Sequence, residues 1–344
     1  MDHRETMSVG VAGMALLLSA LACGGGEATV ASGGGMGDAG PSDGATLSAS
    51  ERCARITASI EEAGFAAAAI VTCDGKYANI VSDTYPAHDK MNGITGTNDQ
   101  VPVPAPGYSS PIALSPSRAT APTTIDAALG VAVNGVPIYD YSSQGSNDLN
   151  TYEPKLDTKL TGELDLCNGH AGRGDDYHYH ASPICMMQAM KNKGPAAIIG
   201  WGFDGYPIYG NTNPDGSSIG EGELDVCNAK EDKTFGMRYH TSDEHPYILQ
   251  CLVGVVELAK APRVAPLSRQ GGGGKPPGSK APGVTGLAYV EAPDGTRTMS
   301  YDSGGQSYSI AYQPSATAGC WDFAERSFST SGALVSSTYC RSAQ

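Results

Sequence analysis

One pattern is written twice in this chain, and a sequence that repeats itself folds into two like pieces. Asn134-Gly135-Val136-Pro137-Ile138-Tyr139 returns further along as Asp204-Gly205-Tyr206-Pro207-Ile208-Tyr209. Glu163-Leu164-Asp165-Leu166-Cys167-Asn168 returns as Glu223-Leu224-Asp225-Val226-Cys227-Asn228, and Tyr179-His180 returns at that same spacing as Tyr239-His240. Each unit reads turn, apolar strand, polar loop, cysteine, loop, Tyr-His strand, cysteine. Asn-Gly and Asp-Gly favour tight turns, and Pro-Ile-Tyr suits an edge strand. Two copies predict pseudo-twofold halves, with the Tyr-His strands meeting near a shared centre.

The cysteines follow the same local order. Of nine, Cys23 stands apart, and eight remain as Cys53/Cys73, Cys167/Cys185, Cys227/Cys251 and Cys320/Cys340. Neighbours in sequence staple short loops in an oxidising compartment, and the absence of any CxxC argues against zinc-thiolate or redox chemistry. Eight cysteines allow about 105 pairings, so spacing alone leaves connectivity open.

Export is read from the N-terminus. Val9 to Leu21 is a short apolar run ending in small residues before Cys23, too short to span a bilayer comfortably. Residues 1–22 resemble a bacterial lipoprotein signal, after which Cys23 would carry lipid and anchor the protein in the cell envelope, at the outer membrane of a Gram-negative cell. The alternative is a plain secretion signal. No other stretch is long and apolar enough for a membrane helix. Residues 23–50 are Gly, Ala and Ser with almost no large apolar side chain, which reads as a flexible tether. A main domain over 51–258, a Gly/Pro linker over 259–283 and a small domain over 284–344 follow. That last piece has strand-like alternation and one stapling pair, Cys320/Cys340.

Hydrophobic residues make up 40% and charged residues 17%, with 45 Gly and 22 Pro in 344 residues. That mix predicts a mostly β, disulfide-stabilised protein with short helices and long loops. The formal net charge is −14 with nothing basic clustered, which excludes a nucleic-acid partner.

The chemistry concentrates in Tyr177-His178-Tyr179-His180. In a strand, alternate side chains share a face, so both imidazoles point one way and both tyrosines the other. Two imidazoles so spaced stand close enough for one metal ion, and zinc or copper favours them. His170 lies upstream in Gly169-His170-Ala171-Gly172-Arg173-Gly174, a loop that Cys167/Cys185 would clamp over the strand. His240 from the second copy and His88 are further candidate ligands. Asp175, Asp176, Tyr177 and Tyr179 are the candidates to orient the imidazoles from behind. An internal hydrogen-bonded cluster that holds no metal explains the same residues, so both readings stay open.

The chain here resembles the YHYH-domain family. The resemblance rests on Cys167-x-x-His170, the Tyr177-His178-Tyr179-His180 string, Pro183-x-Cys185, and the run from Gly200-Trp201 through Asp204-Gly205-Tyr206-Pro207-Ile208-Tyr209-Gly210. Tyr239-His240-Thr241 and His245-Pro246-Tyr247 to Cys251 and Gly254 continue it; Asn134-Gly135-Val136-Pro137 and Ser82-Asp83-x-x-Pro86-x-His88-Asp89 extend it upstream, so it spans about Tyr77 to Gly254. The family usually carries an aromatic residue where this chain has His245, so His245 is not expected as a general ligand. The resemblance implies an exported, domain-sized protein and names no reaction.

Other motifs are weaker. Asn211-Thr212-Asn213-Pro214-Asp215-Gly216 spaces its oxygens like a calcium loop, but Gly222 stands where the closing Glu belongs; a polar turn fits better. Met186, Met187 and Met190 have copper-ligand chemistry and, more commonly, core spacing. No G-x-S-x-G, P-loop or H-E-x-x-H is present. Three functions remain: a metal-binding envelope protein, a surface module using exposed tyrosines to bind glycan or protein, and a metal-dependent hydrolase.

Overall fold

The computed structural model describes residues 47–97, 99–145, 148–270 and 272–342. The expected signal peptide, Cys23 and nearly all of the expected tether therefore lie outside the described residues.

Helix α1 (Ala49–Ala63) opens on a capping box, in which Ser48 accepts from the Glu51 amide and the Glu51 carboxylate accepts from the Ser48 amide. It ends at Gly64, whose φ of 89° is the left-handed conformation a C-terminal glycine supplies. Arg52, Ile56, Ser59, Ile60 and Ala63 recur at helical spacing and are buried. Arg52 donates to the Gly205 carbonyl at 2.9 Å, and Ser59 accepts from the Trp201 indole at 3.0 Å.

Three antiparallel strands follow: β1 (Ile70–Cys73), β2 (Tyr77–Ser82) and β3 (Tyr108–Ala113). Strand β4 (Arg118–Thr123) pairs later with β13. The first repeat supplies β5 (Gly130–Ala132), β6 (Pro137–Ile138), β7 (Gly169–Ala171) and β8 (Tyr177–Tyr179), then the short helix α2 (Ile184–Ala189). The second supplies β9 (Gly200–Gly202), β10 (Pro207–Tyr209), β11 (Ala229–Asp232) and β12 (Gly236–His240), closed by β13 (Leu252–Gly254).

The eight repeat strands form one sheet in the order β11-β12-β10-β9-β5-β6-β8-β7. That order reads the same from either end once each strand is exchanged for its counterpart, so the halves are pseudo-twofold as expected. The shared centre is different from the expectation. The antiparallel pair β5/β9 sits in the middle, and the two Tyr-His strands β8 and β12 lie far apart, separated by four strands. Close backbone approach explains the centre: a Cβ on Gly130 would stand 2.5 Å from the Trp201 carbonyl oxygen. The Pro-Ile strands are interior, not edge, because the proline opens each strand, where its missing N–H costs least.

Six antiparallel strands complete the chain: β14 (Ser268–Arg269), β15 (Thr285–Glu291), β16 (Arg297–Ser303), β17 (Gln306–Pro314), β18 (Cys320–Arg326) and β19 (Val335–Cys340). The stretch expected as a linker is pinned in place. Leu267 and Ala281 are buried, and Lys275 pairs with Asp175 at 2.7 Å. The C-terminal sheet shares the main hydrophobic core, with Met299, Ile310 and Tyr312 packed into it. The Tyr289 hydroxyl bridges those of Tyr85 (2.8 Å) and Tyr312 (2.6 Å).

All four expected disulfides are present: Cys53–Cys73, Cys167–Cys185, Cys227–Cys251 and Cys320–Cys340. They suit an exported protein in oxidising surroundings. Among the described residues no helix is long and apolar enough to cross a membrane.

Candidate metal centre

The β7/β8 hairpin sets His170 directly opposite His178, and His180 follows at the end of β8. Strand alternation then puts all three imidazoles on one face. Their ring centroids form a near-equilateral triangle with 4.9 Å sides, and their ligating nitrogens all lie within 4.8 Å of one another. The Nε2 atoms of His170 and His180 are 3.1 Å apart. An ion held at about 2.0–2.1 Å by tetrahedral nitrogens would set them roughly 3.3 Å apart, so the His170/His180 spacing fits a small ion.

Each imidazole is held from behind. The Asp140 carbonyl accepts from Nδ1 of His180, the Asp176 carboxylate faces Nδ1 of His178 at 3.3 Å, and the Glu163 backbone bonds His170. Tying Nδ1 of His178 and His180 leaves their Nε2 nitrogens toward the common point, the arrangement metal-binding histidines use. Burial first, then the charge of His178, pushes the His170 imidazole well below its ordinary value; burial and both neighbouring imidazoles do so for His180. Neutral imidazoles are the ligand form. Burial alone would raise the Asp176 carboxyl, but the His178 hydrogen bond and charge, with Arg341, hold it below the usual range.

Gly172 permits this packing. A Cβ there would fall 2.2 Å from Cε1 of His178. The triad opens on a cleft of about 400 Å³, whose walls include Tyr139, Ser142, Gln144, Arg173 and Arg263. Tyr139 stacks on His178 with centroids 4.2 Å apart.

The opposite face of β8 carries the tyrosines, as alternation requires. Tyr177 donates to Asp165 at 2.7 Å; the Tyr179 hydroxyl meets His88 at 2.6 Å and Asn134 at 3.0 Å. These two tyrosines therefore do not back the imidazoles. Nor does Asp175, which pairs with Lys275; of the four expected supporting residues only Asp176 touches a histidine of the triad.

His88 and His240 are not brought to the triad. His88 lies on the tyrosine side of the sheet, its ring nitrogens engaged by Asp89 O and Tyr179 OH, each at 2.6 Å. Cys167 and Cys185 stand near it, but a disulfide offers no thiolate. His240 ends β12 at the other end of the sheet. Its Nδ1 donates to the Gly210 carbonyl at 2.8 Å, and its Nε2 accepts from Nε of Arg238 at 2.8 Å. Asn213, from the calcium-like loop, gives its oxygen to Lys230 (3.1 Å) and Arg238 (2.8 Å), so that atom serves two cations of the chain itself. Met186 and Met190 are buried in the core. His245 packs between the Tyr141 and Tyr152 rings, at 4.3 and 4.2 Å.

Sequence reasoning missed Tyr139, Asp140 and Glu163. Their signal was present, since Tyr139 and Glu163 belong to the repeated blocks and Asp140 directly follows one. The parallel pairing of β6 with β8 (Ile138 beside Tyr179) delivers Tyr139 and Asp140 to the histidines.

The family model for YHYH protein matches residues 109–219. The chain carries a YHYH domain. The match lies inside the Tyr77–Gly254 span expected from the motifs, and it covers the whole histidine triad together with the Asp204–Tyr209 hairpin. Strand β12 with His240, and the C-terminal sheet, fall beyond this YHYH match. No curated protein matches the chain, and no solved structure does.

Proposed function

We propose that this YHYH-domain protein is exported, held at the cell envelope by lipid on Cys23, and binds one transition-metal ion through His170, His178 and His180. The single observation that carries the metal reading is three buried imidazoles on one face, each backed by its own acceptor and all turned toward one point. Zinc or copper suits an all-imidazole set. His170, His178 and His180 would hold the ion beside the cleft they line, and a three-histidine set would suit exchange of a small ligand better than a closed structural site. A bound ion would supply Lewis acidity, or with copper electron transfer. Around it the chain's own groups orient and exclude: Asp176, Asp140 and Glu163 fix the rings, and Tyr139 covers one face of His178. Hydrolysis is the reaction class that an open three-histidine site would serve.

The alternative of a surface module built on exposed tyrosines loses its basis. Of 17 tyrosines only Tyr152 is exposed, and Trp201 is buried.

Elemental analysis of the mature protein, purified without a histidine tag, is expected to find about one equivalent of zinc or copper. His178→Ala with His180→Ala is expected to abolish it. Unchanged metal content in that variant, or a metal-free parent that takes up neither ion at micromolar concentration, sinks the reading. The 3.1 Å contact between His170 and His180 would then be an ordinary imidazole hydrogen bond.

A further inference from the structure

The second half of the duplicated sheet presents the same scaffold with different side chains. In the first half His170 faces His178 across β7/β8; in the second Lys230 faces Arg238 across β11/β12. The interval from His170 to Lys230 is the same as that from His178 to Arg238 and from His180 to His240. Several hydrogen bonds of the surrounding framework recur. Asn168 and Asn228 share the left-handed conformation (φ 66° and 60°), and their carbonyls accept from the amides of His180 (3.2 Å) and His240 (3.0 Å). Asp165 accepts from the amides of Cys167 and Gly169, as Asp225 does from those of Cys227 and Ala229. Nδ1 of His180 donates to the Asp140 carbonyl and Nδ1 of His240 to the Gly210 carbonyl. A parallel partner strand lies beside each, β6 for β8 and β10 for β12.

What stands before the histidine's Nε2 differs. In the first half it faces two imidazoles. In the second it accepts from the Arg238 guanidinium at 2.8 Å, with Asp232 beside that guanidinium at 2.9 Å and Lys230 held by Glu223 at 2.7 Å. The local carboxylate changes arms: Gly236 stands where the first half has Asp176, and Asp232 stands where it has Gly172. Asp176 serves His178 from one arm of its hairpin; Asp232 serves Arg238 from the other arm of the corresponding hairpin. In the second half the histidine nitrogen thus meets a positive charge that is covalently part of the chain.

We infer that the Lys230, Arg238 and His240 cluster is a second, internally plugged copy of the metal site, in which the guanidinium takes the ion's place. It would accept a zinc- or copper-class ion once its two cations became imidazoles and Asp232, at the position of Gly172, became glycine. This rests on the proposed reading of the first half. The protein then carries one exchangeable ion and one permanent cation, which keeps the second half folded irrespective of metal supply.

The test is reciprocal exchange in the full mature chain. Lys230→His with Arg238→His and Asp232→Gly is expected to raise zinc content by one equivalent over its parent, both in the native background and with His178→Ala and His180→Ala present. His170→Lys with His178→Arg is expected to give a metal-free protein whose melting temperature ignores chelator and exceeds that of His170→Ala with His178→Ala. No added equivalent in a folded first variant overturns the inference. So does a second variant no more stable than its alanine counterpart, and this arm decides the matter if the first variant fails to fold. A parent with no zinc refutes the first-half reading alone, because the increment is scored against the parent.

Discussion

Asp176 is the residue on which the geometry of the triad turns. Its carboxylate is almost wholly buried and faces Nδ1 of His178 at 3.3 Å. Removing an acceptor behind a metal-binding imidazole typically weakens metal affinity about 10–100-fold. Asp176→Asn is expected to do so while leaving the four disulfides formed, and competition with a chromogenic chelator measures it. An affinity within about twofold of the parent would mean that Asp176 does not orient the ring. The tetrapeptide itself was legible because strand alternation is a local rule: knowing that Tyr177 to Tyr179 is a strand places His178 and His180 on one face. Which acceptors stand behind them was not legible, because the Asp140 and Glu163 backbones arrive from loops outside the β7/β8 hairpin, where no strand period reaches.

At the scale of elements, the repeat's turns carry buried acids whose ionisation is linked to folding. Asp204, in the turn between β9 and β10, is fully buried and accepts from the Tyr239 hydroxyl and the Gly254 amide. Burial, working against these hydrogen bonds, pushes its carboxyl up to about 6. The folded value exceeds the unfolded one, so the folded chain holds the extra proton. The stability Asp204 contributes is thus fully present below about pH 4 and lost as pH rises through about 6. A rise of that size corresponds to a loss on the order of 3 kcal/mol. In guanidine unfolding across that range, the parent is expected to lose stability relative to Asp204→Asn as pH rises. Parallel curves for the two proteins would refute the assignment. The repeat made these elements legible as pieces. Their order in the sheet was not, since hydrogen-bonded pairing of β5 with β9 is decided by backbone approach at Gly130 and Gly200.

Across the whole molecule, the C-terminal part of the chain reaches the surroundings of the candidate metal centre through Arg341, Lys275 and Lys280. Arg341, just past β19, donates to the carbonyls of Val103, Pro104, Gly174, Asp175 and Ala265. It thereby fastens the loop that carries Asp176 to the strand behind it. Lys275 adds a buried ion pair to Asp175. Arg341→Ala leaves those carbonyls without their charged donor, and a loss of about 3 kcal/mol is expected. It should also weaken metal binding, read by chelator competition under conditions where the variant is fully folded. Destabilisation with unaltered affinity would confine Arg341 to a structural part.

By itself the sequence determined the β-rich class, the local grouping of the cysteines, the duplication and the histidine face, because each depends on residues close along the chain or on a two-residue period. Tertiary structure alone decided that the two Tyr-His strands lie apart, that His88 belongs to the tyrosine side, that His240 meets a guanidinium, and that a C-terminal arginine clamps the histidine loop. Those outcomes depend on which distant strands pair and which buried polar groups find one another. Pairing across long stretches of chain is selected by the packing of the whole core, and no local period in the sequence reports it.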